Sequence, residues 1–570
     1  MLRLGYLLVI IVCITPTIPG LLGVLASAFS YAPVLGLNQP SVAAFWQVFT
    51  WSGVEKSILI SLFSALGSTY LACLMTFAIL QSCWHRRQWR WIENSLAPLL
   101  AMPHVAFAIG FTFLFSSTGI IARLLATFID HNHPIFNQAG ADLVVNDPYA
   151  LGLTLVLAMK EVPFLLLMSI PILQQLNIDK TRQVCASLGY STSQMWWKCL
   201  LPQWLNKIRF PLFAVIAYGV SVVDLSLIVG PTNPPSFAVL VWQWFNEPNL
   251  SLLPRAAAGA IILLGLASLL LLTIVLIELA IKYYLGRWFY AGRSGVNLPG
   301  RSLFTIIASI ILAIIPLMLI WSIAQRWRFP DVLPSQYSAK FWIFEWTNIL
   351  PTISDSLILA LISGFCALLL AMISHEYRLR YQLKLPVYII ALPILVPQLS
   401  ILFGLQAMTF YLSSEHYIFW VYWAHIFFAF PFVYLTLEGP WQSFNDNYIK
   451  AALSLGKSPL QAFLTIKAPL LLPAIFYAWA IGISVSLAQY LPTLMLGAGR
   501  IATITTEAVA LSSGFDRRIT AIYALWQAFL PVFFFALALC LSRWQRRIPC
   551  QSNTKNTRQH ELLSQQSHHH

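Results

Sequence analysis

Charge is scarce in this chain. Asp, Glu, Lys and Arg make up 9% of its 570 residues, where a soluble domain carries about 25%. A soluble globular fold is therefore excluded. The usual signatures of chemistry are missing too. There is no His-Glu-x-x-His, no cluster of carboxylates at a membrane surface and no nucleophile elbow, so no catalytic residue is expected. No Gly-x-x-x-x-Gly-Lys-[Ser/Thr] phosphate loop occurs, so any ATP used must be hydrolysed by another chain. The 8 cysteines include no Cys-x-x-Cys pair and imply no disulfide framework. No metal site is expected either: His425 lacks a second nearby ligand and reads as a packed, hydrogen-bonded histidine.

What the chain has is apolar length. It is 58% hydrophobic, with a mean hydropathy of +0.73. Runs near twenty residues recur, the length a helix needs to cross roughly 30 Å of hydrocarbon. Twelve spans are expected, at about 5–29, 57–80, 93–115, 149–172, 207–230, 256–282, 303–324, 356–375, 386–411, 416–437, 470–492 and 519–542. The fold class is thus an all-α polytopic membrane protein. Ala26-Ser27-Ala28 could pass for a signal-peptidase site, but an uncleaved anchor is expected. The three histidines at 568–570 resemble a shortened purification tag.

The formal charge of +14 follows topology rather than nucleic-acid binding. With the N-terminus in the cytoplasm, 24 of the 34 Lys and Arg fall inside, 9 outside and Lys160 within a span. Basic clusters sit in alternate loops: Arg86, Arg87 and Arg90; Lys282, Arg287, Arg293 and Arg301; Arg378, Arg380 and Lys384; Arg543, Arg546 and Arg547. This positive-inside pattern puts both termini in the cytoplasm. No nucleic-acid partner is expected.

The chain is duplicated. A first unit covers 1–295, a second 296–550, and 551–570 forms a tail. Ser57-Ile-Leu-Ile-Ser parallels Ser356-Leu-Ile-Leu-Ala, and Pro103 parallels Pro397. Pro163 and Pro431 precede two matched glycines, and Val220-Ser-Val-Val-Asp224 parallels Val485-Ser-Leu-Ala-Gln489. The first unit carries extra external sequence at 116–146, with Asp130, His133 and Asp142. Six spans per unit in the same orientation make the repeat parallel, with a pathway expected between the halves.

Two loops stand out, at about 174–206 and 438–469. Each has an Asp (Asp179, Asp446) ten residues before a Gly (Gly189, Gly456) and a Pro (Pro202, Pro469) thirteen after it. Each Asp reads as an N-cap, each Gly as the C′ residue that ends a short helix. The connection to the Pro reads as a helix lying at the membrane surface.

Val184-Cys-Ala186-Ser-Leu188-Gly189 and Ala451-Ala452-Leu-Ser-Leu455-Gly456, with those prolines, resemble the EAA loop of permease subunits in type I ATP-binding-cassette importers. The layout is similar to fused double permeases for ferric iron and thiamine. The stretch from Gly497 to Arg518 resembles the YnjC-type branch. The resemblance implies the MetI-like permease fold and a place in a bacterial inner membrane. It implies two copies of a nucleotide-binding subunit, which hold ATP and Mg, docked on the loops as coupling helices. It also implies a substrate-binding protein outside. The motif's Glu is missing: Gln183-Val184-Cys185 and Lys450-Ala451-Ala452 stand in its place, so the two docking sites are expected to be unequal.

Ionisable groups within spans suggest function by default. Lys160-Glu161 lies in the fourth span. Asp224, with Gln489 as its expected repeat partner, and Ser221 and Ser486 a turn earlier, form a candidate gate. A self-neutralising or backbone-bound role is the plainer reading of Lys160-Glu161. The loop from Pro231 to Glu247 reads either as a segment folded into the outer mouth or as an interfacial aromatic belt. An ion-gradient transporter of the 6+6 type is the alternative; it would show a long central loop, and here residues 281–302 are short.

Overall fold

A computed structural model describes residues 2–31, 33, 38–84, 86–128, 144–381, 387–409, 414–514 and 516–547. The external residues Asp130, His133 and Asp142, Lys384 and the tail lie outside that set. Among the described residues, ten helices are long and apolar enough to cross a membrane. The expected spans at 207–230 and 386–411 are not among them: the helix of the second is interrupted, and that of the first, Leu201–Ser221, carries Lys207 and Arg209 and stops short of the apolar residues after Val222.

In chain order the main helices are α1 (Leu2–Ala28), α2 (Val54–Cys83), α3 (Trp89–Ala101), α4 (His104–Phe115), α5 (Leu151–Gln175), α6 (Ile178–Ser187), α7 (Leu201–Ser221), α8 (Asp224–Val229) and α9 (Leu253–Tyr290). The second unit follows with α10 (Gly300–Ile323), α11 (Lys340–Tyr381), α12 (Gln398–Thr409), α13 (Tyr417–Gln442), α14 (Asn447–Ser454), α15 (Ala468–Ala488), α16 (Leu491–Gly497) and α17 (Arg517–Arg547).

The interruptions have local causes. Met102 and Val396 each precede a proline and are extended, with ψ 119° and 134°. A proline disfavours helical backbone in the residue before it. The expected span at 93–115 is accordingly split at Pro103. The other two breaks come at Val222 and Gln489, with ψ 126° and 116°. They stand 267 residues apart, the same interval as Gly189 and Gly456. Neither holds a proline or glycine. Broken backbone at membrane depth persists only where protein buries it or a cavity receives it.

Each unit lends its first helix to the other. α1 packs against α11 and α12, and α10 packs against α2 and α4. In lipid, helices associate through close packing of small residues rather than hydrophobic burial. At the first exchange, a Cβ on Gly404 would lie 1.6 Å from the Gly20 carbonyl oxygen. At the second, a Cβ on Gly110 would meet the Ile314 side chain at 2.0 Å.

The loop from Pro231 to Glu247 folds back among the helices. Its helix Phe237–Phe245 is largely buried, and Ser61 Oγ accepts from the Phe237 amide at 2.7 Å. In the second unit Ser356 Oγ accepts from the Ile504 amide at 2.9 Å. Phe237 and Ile504 are again 267 residues apart. These bonds set Ser61, rather than Ser57, opposite Ser356.

Candidate functional site

The two loops reach the same end by different beginnings. α6 starts after Asn177, which adopts a left-handed conformation (φ 45°). Asp179 therefore lies inside the first turn and is not the N-cap; its charge still suits a helix N-terminus. Asp446 does occupy the N-cap of α14, but its side chain makes no capping bond. Asn445 Oδ1 accepts from the Asn447 amide instead, at 3.0 Å.

The ends match closely. Gly189 and Gly456 have φ +76° and +83°. The Tyr190 amide donates to the Cys185 carbonyl (2.8 Å) and the Lys457 amide to the Ala452 carbonyl (3.1 Å). Gly189 and Gly456 donate to Ala186 and Leu453, each at 3.0 Å. This is the Schellman arrangement, which satisfies carbonyls that a helix end leaves free.

Capping boxes follow at Ser191/Gln194 and Ser458/Gln461. The Ser-x-x-Gln spacing could have revealed them in the sequence. The chain then runs through a π turn (Trp196–Leu200, Phe463–Lys467) straight into α7 and α15. The expected surface helix is thus the start of the following span. Pro202 and Pro469 sit in its first α turn. A proline breaks the regular hydrogen-bond ladder, and the widened turn before it absorbs that mismatch.

The loop tips present apolar side chains. Leu188 is 60% exposed, Leu455 81%, Val184 58% and Tyr448 57%. Ala186 and Ala451 are exposed as well, whereas Ala452 and its counterpart Cys185 face inward. Burial, with a contact to Cys199 Sγ at 3.7 Å, pushes the Cys185 thiol up to about 11.

The first loop is strapped by the linker between the units. Ser193 Oγ, Trp197 Nε1 and Gln81 Nε2 all donate to the Val296 carbonyl, at 2.8, 2.8 and 2.7 Å. Gln194 donates to the Arg293 carbonyl, and Arg293 Nη2 donates to Leu188 O at 3.1 Å. A Cβ on Gly456, by contrast, would meet nothing within 4 Å. The segment after α17 that corresponds to the linker lies outside the described residues.

The four helix breaks converge on a cavity of about 310 Å³ between the units. Lys160, Glu161, Ser221, Asp224 and Gln489 all line it. Ser486 does not: it bonds His425 Nδ1 at 2.8 Å, while His425 Nε2 bonds Thr493 at 2.9 Å. The constant interval also corrects one pairing. Gln489 corresponds to Val222, and Asp224 corresponds to Leu491. The shared Val-Ser letters had suggested a register two residues away.

Lys160 and Glu161 part company. Lys160 Nζ donates to the carbonyls of Leu99 (3.1 Å) and Met102. These are carbonyls left free where α3 stops before Pro103, and a cation suits a helix C-terminus. The backbone-bound reading of Lys160 therefore holds. Glu161 turns toward His104, with Nε2 and Oε1 3.8 Å apart. The His104 ring lies 5.1 Å from that of Tyr218. Asp224 opens α8, and no ion pair to it occurs among the described residues. From the second unit, Gln398 donates to Gln489 at 3.3 Å. The cavity residues His104, Tyr218, Gln398, Tyr490 and Gln527 escaped the sequence reading; only His104 and Gln398, each following a matched proline, carried a signal.

No family model matches the chain. It is 32% identical over 537 residues to the inner membrane ABC transporter permease protein YnjC of Escherichia coli (strain K12), covering 91% of this chain and 95% of that protein. The spermidine/putrescine transport system permease protein PotC homolog of Mycoplasma genitalium is 27% identical over 188 residues, 32% of this chain and 66% of its own. The putrescine transport system permease protein PotI of Escherichia coli (strain K12) is 25% identical over 108 residues, 18% of this chain and 38% of its own. An alignment that takes in nearly the whole of YnjC, on a helical membrane chain built twice over, shows that this protein belongs to the ABC transporter permease family of the inner membrane.

Proposed function

We propose that the two loop tips are docking points for two copies of a nucleotide-binding subunit, which holds the ATP and Mg that this chain has no motif to bind. The observation that carries the reading is the repeated tip: a helix ended by a positive-φ glycine, with Leu188 or Leu455 left in water beside it. Exposed apolar side chains at matched places mark partner surfaces. After each glycine a capped turn holds the tip against the start of α7 or α15, which line the cavity. A push on the tips is thereby delivered to the helix breaks at Val222 and Gln489.

In this reading both termini lie in the cytoplasm. A substrate-binding protein delivers solute to the opposite face, and ATP closure draws the tips together and opens the cavity outward. Hydrolysis then releases solute inward. The named relatives are transport permeases, which does not favour the ion-gradient alternative.

A mild-detergent pull-down with stoichiometry tests it. Two copies of one ATPase per chain, lost when Gly189 and Gly456 are both replaced by valine, is the expected result. A chain that purifies alone, and moves solute in liposomes on an ion gradient without ATP, would sink the proposal.

A further inference from the structure

The cavity is asymmetric in charge. Positions related by the repeat line it from both sides, yet the acidic groups, Glu161 and Asp224, come from the first unit alone. Where the first unit has His104, Lys160 and Asp224, the second has Gln398, Phe428 and Leu491, read from the matched prolines and the 267-residue interval. Lys160 is spent on the carbonyls of Leu99 and Met102, so its charge is held at the end of α3. The two carboxylates are left without a basic partner other than His104.

Two further features point to what would fill the space. Aromatic side chains line it from both units: Phe164, Tyr218, Phe428, Phe432 and Tyr490. Ring faces attract cations, more strongly once water is excluded. Gln527, 2% exposed, also lines the cavity. Its amide nitrogen donates to Thr505 at 2.9 Å, but its Oε1 accepts no hydrogen bond. A buried acceptor without a donor is costly, and an N–H-bearing ligand would satisfy it.

The alternatives fit less well. An anion would meet carboxylates and no free ammonium. No group of three His, Cys, Asp or Glu among the described residues could hold a bare metal ion. The volume equals on the order of ten waters, room for a molecule rather than an ion.

We propose that the cavity takes a small organic cation, with Glu161 and Asp224 as counter-ions, Tyr218 and Tyr490 as ring faces and Gln527 Oε1 as an acceptor. The proposal rests on the cavity being the transport pathway. It names the class of solute, which the sequence leaves open.

The test uses the full chain in lipid nanodiscs, with benzylammonium as the cation and benzenesulfonate as the anion. Only the cation should bind, and Glu161→Gln with Asp224→Asn should weaken it at least tenfold. Because that pair could disturb folding, Ser221→Cys in an otherwise native chain provides a second reading. Maleimide labelling at residue 221 should slow at least threefold with the cation and be unchanged with the anion. Labelling indifferent to the cation, or slowed equally by both, overturns the site even if the chain still binds its ATPase. Cation protection in a chain that shows no ATP-driven uptake would keep the site and discard the pathway.

Discussion

The two units share a plan and divide its duties. The first supplies the ionisable lining of the cavity and a loop strapped by the linker. The second supplies amides and rings, and a loop whose glycine has open space around it. Duplication fixes the positions of breaks, caps and tips, because these depend on backbone. It leaves side chains free to diverge where only one copy of a group is needed. A single buried carboxylate pair can serve the whole cavity, and a second would add desolvation cost.

The exchanged first helices offer the largest test of this difference. Gly404→Ala forces a Cβ against the Gly20 backbone, whereas Gly110→Ala meets only the Ile314 side chain. Overpacking costs about 1–3 kcal/mol where side chains can shift. Gly404→Ala is expected to exceed that range, with loss of folded protein on detergent size-exclusion. Gly110→Ala should stay within it. Equal losses would mean that the two exchanges are packed alike.

Next come the tips. Valine at φ near +80° is strained, since β-branched residues avoid that region. Gly456→Val should reduce ATP-driven uptake at least tenfold. Gly189→Val should reduce it less, because the linker bonds at Arg293 and Val296 hold the first loop in place. Uptake measured side by side would reverse the ranking if the strap contributes nothing.

Lys160→Met sharpens the contrast inside the cavity. It strips two carbonyls of their donor, and each unsatisfied buried group costs about 1–3 kcal/mol. A lowered melting temperature should result, with cation binding kept or strengthened. Gln489→Leu, the change on the other side, removes one 3.3 Å bond and should cost less than 1.5 kcal/mol, in the range of about 0.5–1.5 for one net bond. The smallest effect belongs to the strap. Ser193→Ala with Trp197→Phe removes two donors to Val296. Trypsin should then cut at Arg293 a few-fold faster in folded protein.

Much of this was legible in the chain. Apolar runs, matched glycines and prolines gave the repeat, the tips and most of the membrane helices. Pro103 and Pro397 stand at two of the four breaks, but in the sequence both read only as repeat matches inside continuous spans. The breaks at Val222 and Gln489 have no such marker, because the cavity they border rather than local preference lets the backbone open there. The Val-Ser match between 220 and 485 misled for a related reason: identical letters are cheap in an apolar helix, while the interval between capped loops is not. The strap and the exchanged helices were invisible, since both depend on contacts between distant segments.

The exchange has a consequence in time. α1 is the first helix made, and its Gly20 and Gly23 seat against Gly404, close to four hundred residues later. At about 5–20 residues per second, synthesis of that interval takes roughly 20–80 s. Through that interval the leading helix can pack only against its own unit, chiefly α9, so the first part of the protein to enter the membrane is among the last to complete its contacts.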